Sequence, residues 1–276
     1  MTDFYAVIGN PIAHSKSPLI HAEFSRQTGQ DIRYEAILAP VDAFPATVSS
    51  FRARGGKGAN VTVPFKLEAH KISTRLTERA QAAQAVNTLV FEPGGIAGDN
   101  TDGAGLVRDI RANLKFLIKA RRVLLMGAGG AARGVILPLL EHKPQVLAIA
   151  NRTKQKACEL QQLFSRYGNG NIVSAAYADL AGEKFDLVIN ATSASLRGEL
   201  PALPAGIFAD GSLAYDMMYS DGLTPFLQHA KQQGAARLAD GIGMLVEQAA
   251  ESFLLWRGIR PETAPVIEML ASCTAS

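Results

Sequence analysis

Short apolar runs alternate along this chain with segments whose apolar residues recur at helical spacing. The runs Phe4–Ile8, Ile32–Leu38 and Gly58–Val63 have strand length and are bounded by Gly, Pro, Asn or Asp, which predicts strands. "NTLVFEPGGIAGDN" predicts a hairpin turning at Pro93-Gly94-Gly95. Around Asp102 the pattern restarts. A helix, Ala104–Asn113, leads to the strand "RVLLM" and a glycine-rich turn. Further strands are expected at Val146–Ala150, Leu187–Asn190 and Leu213–Tyr215, with helices such as Lys154–Tyr167 and Pro225–Gln233 between them. The end of the chain reads as two apolar helices, Met244–Trp256 and Ala264–Leu270. Alternating strands and helices predict an α/β protein with parallel sheets. The expected division is a first domain over 1–101, a second over 102–240, and helices over 241–276 that return to pack on the first domain, with a cleft between the two.

Composition adds bounds rather than a function. The chain has 276 residues, 47% hydrophobic and 19% charged, which is ordinary for a globular protein and long enough for two domains. The net charge is +3 and the charges are scattered, so nucleic acid is not expected as a partner. Cys158 and Cys273 stand far apart in no metal or redox spacing, which predicts no metal and a reducing compartment. Asp3 and the lack of a basic leader argue against a signal peptide, and no apolar run approaches the ~20 residues of a membrane helix. The expected location is the cytoplasm, with no membrane partner.

Candidate chemistry begins at "HSKSP", residues 14–18. Serine is a favoured N-cap and proline is tolerated in the first helical turn, so Ser17 is expected to cap a helix that Pro18 begins. That leaves Ser15 and Lys16 unexplained. Helix N-termini present free N–H groups and a positive dipole end, so two hydroxyls there point to a small carboxylate or phosphate.

"VLLMGAGGAARG" is the strongest local signal. A buried strand runs into Gly127-Ala128-Gly129-Gly130-Ala131-Ala132 and then into an apolar helix. This G-x-G-x-x-A, in strand–turn–helix context, lets a pyrophosphate approach the backbone and predicts a Rossmann-type, doubly wound dinucleotide domain. An acid on the next strand would hold the ribose hydroxyl of NAD. Here that strand ends in Asn151, Arg152, Thr153 and Lys154. Guanidinium and hydroxyl donors suit a 2′-phosphate, so NADP is expected. The alternative is that Asn151 and Thr153 shape the turn and cap the next helix, which does not account for Arg152.

Thr62 and Lys66 in "GANVTVPFK", Asn87 in "AVNTL" and Asp102 in "GDNTDG" each have a commonplace reading when taken singly: surface lysine, turn residue, helix cap. Together with "NPIAHSKSPLIH", "GAGGA", "NRT", "NATS", "YDMMY" and "DGIGMLVEQA", in this order and spacing, they make the whole chain closely resemble the NADP-dependent shikimate dehydrogenases of aromatic amino-acid biosynthesis.

The resemblance implies an N-terminal substrate domain, an NADP domain, and reversible reduction of 3-dehydroshikimate to shikimate. It implies that Ser15 and Ser17 hold the substrate carboxylate and that Thr62, Asn87 and Asp102 bind ring hydroxyls. Tyr219 and Gln248 would reach the substrate from the far side, and Lys66 and Asp102 would form the catalytic pair. Gly127, Ala128, Gly129, Gly130, Ala131, Asn151, Arg152, Thr153, Lys154, Met217 and Gly241 would line the cofactor, with Glu78 near the nicotinamide. By spacing alone, Leu245, Gln248 and Ser252 share a helix face. One departure is Ser195 after Ala194, where many family members have glycine. Activity on quinate, use of NAD, the choice between monomer and homodimer, and whether Lys66 hands over the proton itself stay open at this level. A non-catalytic NADP-binding sensor, the rival of another class, would be expected to lack Lys66 or Asp102.

Overall fold

The structure is a computed structural model that describes residues 2–167, 171–192 and 202–273. Ala194 and Ser195 lie outside the described residues.

The first sheet grows from β1 (Asp3–Gly9), which passes through α1 (Ser17–Thr28) to β2 (Ile32–Leu38) and through α2 (Phe44–Ala53) to β3 (Gly56–Val61). The short helix α3 (Lys66–Ile72), β4 (Arg75–Leu76) and α4 (Glu78–Ala83) precede the hairpin β5 (Thr88–Glu92) and β6 (Gly95–Asp99). Its order is β2-β1-β3-β5-β6-β4. The β1 pairings are parallel and the hairpin pairings antiparallel.

The chain then crosses through α5 (Asp102–Arg108) and a π-helical turn, Asp109–Asn113. The sequence reads as one regular helix here. The turn widens at Asp109, whose buried carboxylate accepts from Tyr215 Oη at 2.7 Å and from Asn113 Nδ2 at 2.9 Å. A wide turn of this kind marks a helix bent to serve a tertiary contact.

The second sheet holds β7 (Arg122–Met126), β8 (Val146–Ala150), β9 (Ile172–Ala175), β10 (Phe185–Asn190), β11 (Phe208–Asp216) and β12 (Arg237–Ala239). Helix α6 (Gly130–Glu141) follows β7, α7 (Lys154–Phe164) follows β8 and α8 (Pro225–Gln232) precedes β12. Its order, β12-β11-β10-β7-β8-β9, is the doubly wound dinucleotide-binding order, reversing between β7 and β10. The strands are parallel and apolar on both faces, and separate clusters fill the two sides.

Two helices close the chain, α9 (Ile242–Arg257) and α10 (Ala264–Cys273). Ile242, Val246, Ala249, Phe253, Val266 and Leu270 share one cluster with Ile20 and Phe24 of α1. Trp256 Nε1 donates to Leu89 O at 3.0 Å, and Arg257 Nη1 donates to Asp3 Oδ2 at 2.5 Å. The closing helices therefore pack on the first sheet, while Met244 near the start of α9 joins the cluster of the sheet they follow.

Candidate active site

Lys66 opens α3 and Asp102 opens α5, so each stands where a strand has just delivered the chain to the same edge of the first sheet. Lys66 Nζ donates to Asp102 Oδ2 at 2.6 Å. Their side chains are 16% and 7% exposed, enough for access yet too buried for free solvent screening. The second carboxylate oxygen is also used: Asn87 Nδ2 donates to Asp102 Oδ1 at 2.9 Å. Asn87 Nδ2 also meets Gln248 Oε1 at 3.2 Å, while its own Oδ1 accepts the Thr101 backbone N–H at 2.8 Å. A backbone donor on one side and a carboxylate on the other leave the amide one orientation.

Below this group lies a buried polar floor. Asn60 Nδ2 donates to Ser252 Oγ at 2.9 Å, and Thr88 Oγ1 lies 2.8 Å from the same Ser252 oxygen. The floor ties β3, β5 and α9 together.

At the start of α1 the expected cap is corrected. Helix α1 begins at Ser17, with Lys16 in the cap position and no side-chain cap bond. The hydroxyl that serves the helix start is that of Ser15, whose Oγ accepts the Ser17 N–H at 3.3 Å. Ser17 is already inside the helix and buried, so its hydroxyl is not spent on capping. Thr62 follows β3 directly, beside the turn after β1: a Cβ on Gly9 would stand 2.3 Å from Thr62 Cγ2, so only glycine fits there. Tyr219 follows β11 but packs with the cluster of α1, α9 and α10.

The glycine turn lies on the other wall. Gly127 has φ +109°, a conformation that favours glycine. A Cβ on Gly129 would meet nothing within 4 Å, so its backbone is open to a ligand. Together with the start of α6 and the reversal of strand order, this cradle fits a dinucleotide pyrophosphate. At the end of β8, Asn151 Nδ2 folds onto Thr153 O at 3.0 Å. Thr153 occupies the cap position of α7 without a side-chain bond, which corrects the expected cap. Lys154 Nζ is paired with Asp179 at 2.7 Å, whereas Arg152 is exposed. Gly241 lies against the end of β11, where a Cβ would stand 2.3 Å from Met217 O.

Three family models match in chain order: the shikimate dehydrogenase substrate binding domain over residues 7–89, shikimate / quinate 5-dehydrogenase over 111–197, and the shikimate 5′-dehydrogenase C-terminal domain over 241–270. The shikimate dehydrogenase (NADP(+)) of Nitrosospira multiformis is 74% identical over 276 residues, covering 100% of both chains. The chain belongs to the shikimate dehydrogenase family. An Ael1 enzyme from Pseudomonas putida is similar in structure, with a TM-score of 0.91 at 52% identity, covering 97% of this chain and 98% of that one. The shikimate 5-dehydrogenase of Thermus thermophilus, in complex with NADP(H) and shikimate, has a TM-score of 0.86 at 32% identity over 99% of both chains.

Among the residues that the shikimate dehydrogenase resemblance singles out, Lys66, Asp102, Asn87 and Gln248 form one bonded group. Glu78 is exposed at the start of α4, and its charge acts on Glu141, at the end of α6. Burial first, and then Glu78, push the Glu141 carboxyl up. Sequence reasoning missed Asn60, Thr88 and Thr101. Asn60 was within reach of a period-two reading, since it shares a strand face with Thr62. Thr88 and Thr101 carry no such signal. Among the described residues no group of His, Cys, Asp and Glu could hold a metal ion, and no helix is long and apolar enough to cross a membrane.

Proposed function

We infer that this protein catalyses the reversible, NADPH-dependent reduction of 3-dehydroshikimate to shikimate, a step of aromatic amino-acid biosynthesis. The observation that carries the reading is the Lys66–Asp102 pair, 2.6 Å apart, beside a dinucleotide cradle in a chain of this family. Bound NADPH supplies the hydride. The protein's part is to orient, to exclude water and to meet the charge that grows on the ketone oxygen.

Lys66 meets that charge. Its ammonium has three donors, one of which Asp102 takes, and another donates to the carbonyl oxygen as it becomes an alkoxide. Asp102, held on both oxygens, aims the ammonium and accepts from a ring hydroxyl. Asn87 and Thr62 serve the other hydroxyls, and Gln248 and Tyr219 close the far side. Ser15 and Ser17 hold the carboxylate at the start of α1, where the helix dipole favours an anion.

For the cofactor, the backbone of Gly127–Ala131 receives the pyrophosphate. Arg152, with the Asn151–Lys154 turn, receives the 2′-phosphate, and Met217 and Gly241 border the nicotinamide. Lys154 is already paired, so Arg152 is the cation that reads the phosphate. Residues 1–101 form the substrate unit, 102–240 the NADP unit, and 241–276 belong with the first. The enzyme works in the cytoplasm, as monomer or homodimer. The test is absorbance at the reduced-nicotinamide band with shikimate and with quinate, each with NADP and NAD. Turnover with shikimate and NADP is expected to dominate; dominant turnover with quinate or NAD would replace the reading.

A further inference from the structure

We propose that Thr88, held by Ser252 of the closing helix, is a positioning residue for the reaction: its hydroxyl fixes the Asn87 amide and, through it, the carboxylate of Asp102. The proposal deepens the functional reading and rests on Asn87 and Asp102 as groups that meet the substrate.

Thr88 opens β5 directly after Asn87, and Ser252 lies on α9 one helical turn after Gln248. Both are fully buried, and Asn87 is nearly so. Thr88 Oγ1 stands 2.9 Å from Asn87 Oδ1, 2.8 Å from Ser252 Oγ and 3.2 Å from Asn60 Nδ2. Ser252 Oγ also stands 2.9 Å from Asn60 Nδ2 and 3.1 Å from Gln248 O. Polar groups this buried must satisfy one another.

Counting protons sets the direction of the chain. A hydroxyl has one proton to give and two lone pairs that accept. Two hydroxyl oxygens 2.8 Å apart are bridged by a proton, so either Thr88 donates to Ser252 or Ser252 donates to Thr88. In the first case Asn87 Oδ1 loses the Thr88 donor. In the second, Ser252 gives up only Gln248 O, which is farther away and already has the backbone N–H one turn on as its partner within α9. Ser252 therefore donates to Thr88, and Thr88 donates to Asn87 Oδ1. This arrangement also fills the capacity of Thr88, which gives one proton and accepts from Ser252 and from Asn60 Nδ2. The donors then run one way, from Asn60 through Ser252 and Thr88 to Asn87, and from Asn87 Nδ2 to Asp102 Oδ1. Hydrogen bonds in such a run polarise one another.

The hydroxyl adds what the backbone does not supply. The last torsion of an asparagine is broad, so the Thr101 N–H on Asn87 Oδ1, at 2.8 Å, acts as a pivot. A second donor on the same oxygen fixes the plane of the amide. It thereby fixes the line from Nδ2 to Asp102, whose other oxygen holds Lys66. The seat of α9 on the first sheet is coupled in this way to the catalytic pair, and the orientation is set before substrate binds.

Thr88→Val keeps the shape and removes the hydroxyl, whereas Thr88→Ser keeps the hydroxyl and loses a methyl group. The kcat/KM for shikimate is expected to fall roughly threefold to tenfold in Thr88→Val, as for one lost hydrogen bond. Thr88→Ser should recover most of that loss, the reverse of what a packing role would give. The Kd for NADPH should hold. In an Asn87→Ala background Thr88→Val should cost little more, because the hydroxyl acts through that amide. Ser252→Ala, which removes the donor behind Thr88, should give a smaller fall that does not add to that of Thr88→Val, and it serves if Thr88→Val does not fold. Steady-state kinetics with an NADPH titration read all of these. A wild-type kcat/KM in Thr88→Val, a Thr88→Ser enzyme as impaired as Thr88→Val, or an equal penalty with and without the Asn87 amide would overturn the proposal. If Asn87→Ala itself kept its kcat/KM, the substrate reading of Asn87 would fall with it; a large Asn87→Ala loss with an additive Thr88→Val penalty overturns the Thr88 role alone.

Discussion

Gly130 of the glycine turn faces Lys66: a Cβ built on Gly130 would stand 3.8 Å from the Cβ of the lysine. Lys66 opens α3 beside the first sheet and Gly130 opens α6 beside the second, far apart in the chain. Their nearness puts the residue chosen to meet the developing charge beside the start of α6, where the cofactor cradle begins. A Cβ there would meet the lysine at ordinary van der Waals distance, so the glycine backbone and the lysine stem are neighbours with room for little more than a methyl group between them.

Lys66→Met should leave a folded protein that still binds NADPH, since the apolar stem near Gly130 is preserved. The kcat should fall by on the order of 10²–10⁴, the span of a general acid–base group, with a much smaller change in KM. Lys66→Arg should rescue little, because guanidinium differs in shape and is a poor proton donor. Steady-state kinetics with a cofactor titration as control decide it; a near-normal kcat removes Lys66 from the mechanism.

Arg152→Ala should weaken NADP far more than NAD. Losing a charge-assisted hydrogen bond to the 2′-phosphate costs about 1.5–3 kcal/mol. Lys154 should not take over, because it is held by Asp179 at 2.7 Å. Equal weakening of both cofactors in a binding titration would show that Arg152 does not read the phosphate.

Gly134→Ala should destabilise the protein and slow it. In an exposed helix this change gains about 1 kcal/mol in propensity. Here the added Cβ would stand 2.7 Å from Asn100 Oδ1. Asn100 cannot easily give way: its Nδ2 donates to Ala85 O at 3.0 Å, and its Oδ1 accepts the Asp102 N–H at 3.2 Å. Overpacking of this kind costs ~1–3 kcal/mol, so the clash wins, and it is passed to Asp102. A lower Tm with a lower kcat is expected; a higher Tm would show that the helices simply part.

His21 should make stability fall as pH falls below neutrality. Its folded pKa of about 3 lies below the unfolded value near ~6.5. The unfolded chain thus binds a proton that the folded chain refuses, and the associated stability, complete above the unfolded pKa, drains away between those two values. Between about pH 7 and 5.5 the loss should be about 1 kcal/mol. His21→Phe, which keeps a buried ring on α1 among Phe24, Phe253 and Trp256, should lack this part of the slope. Urea melts of both proteins across that window check it; parallel slopes would mean that the imidazole takes up a proton inside the fold.

Much of this protein is written locally. Strand β2 is found over Ile32–Leu38 as its sequence pattern predicts, although it is a half-exposed edge strand, and β7 and β8 match theirs because buried parallel strands are continuous apolar runs. The glycine turn is legible because Gly127 needs a positive φ that few residues tolerate. Lys66, Asp102, Asn87 and Gln248 could be named from motifs. That they share hydrogen bonds is a matter of which strand ends and which helix face meet, and those residues are far apart in the chain. Local rules also misjudged Ser17, and they expected from Thr153 a side-chain bond that its cap position does not make. A serine before a proline caps in isolation, but here the chain turns so that Ser15 accepts the N–H and Ser17 is buried in the first turn of α1. Tyr34 and Asn60 read locally as ordinary strand residues. Only the tertiary packing buries Asn60 and half-buries Tyr34 on β2 beside it, and there the hydrogen bond from Tyr34 Oη to Asn60 Oδ1, 2.7 Å, gains weight from its partial removal from water.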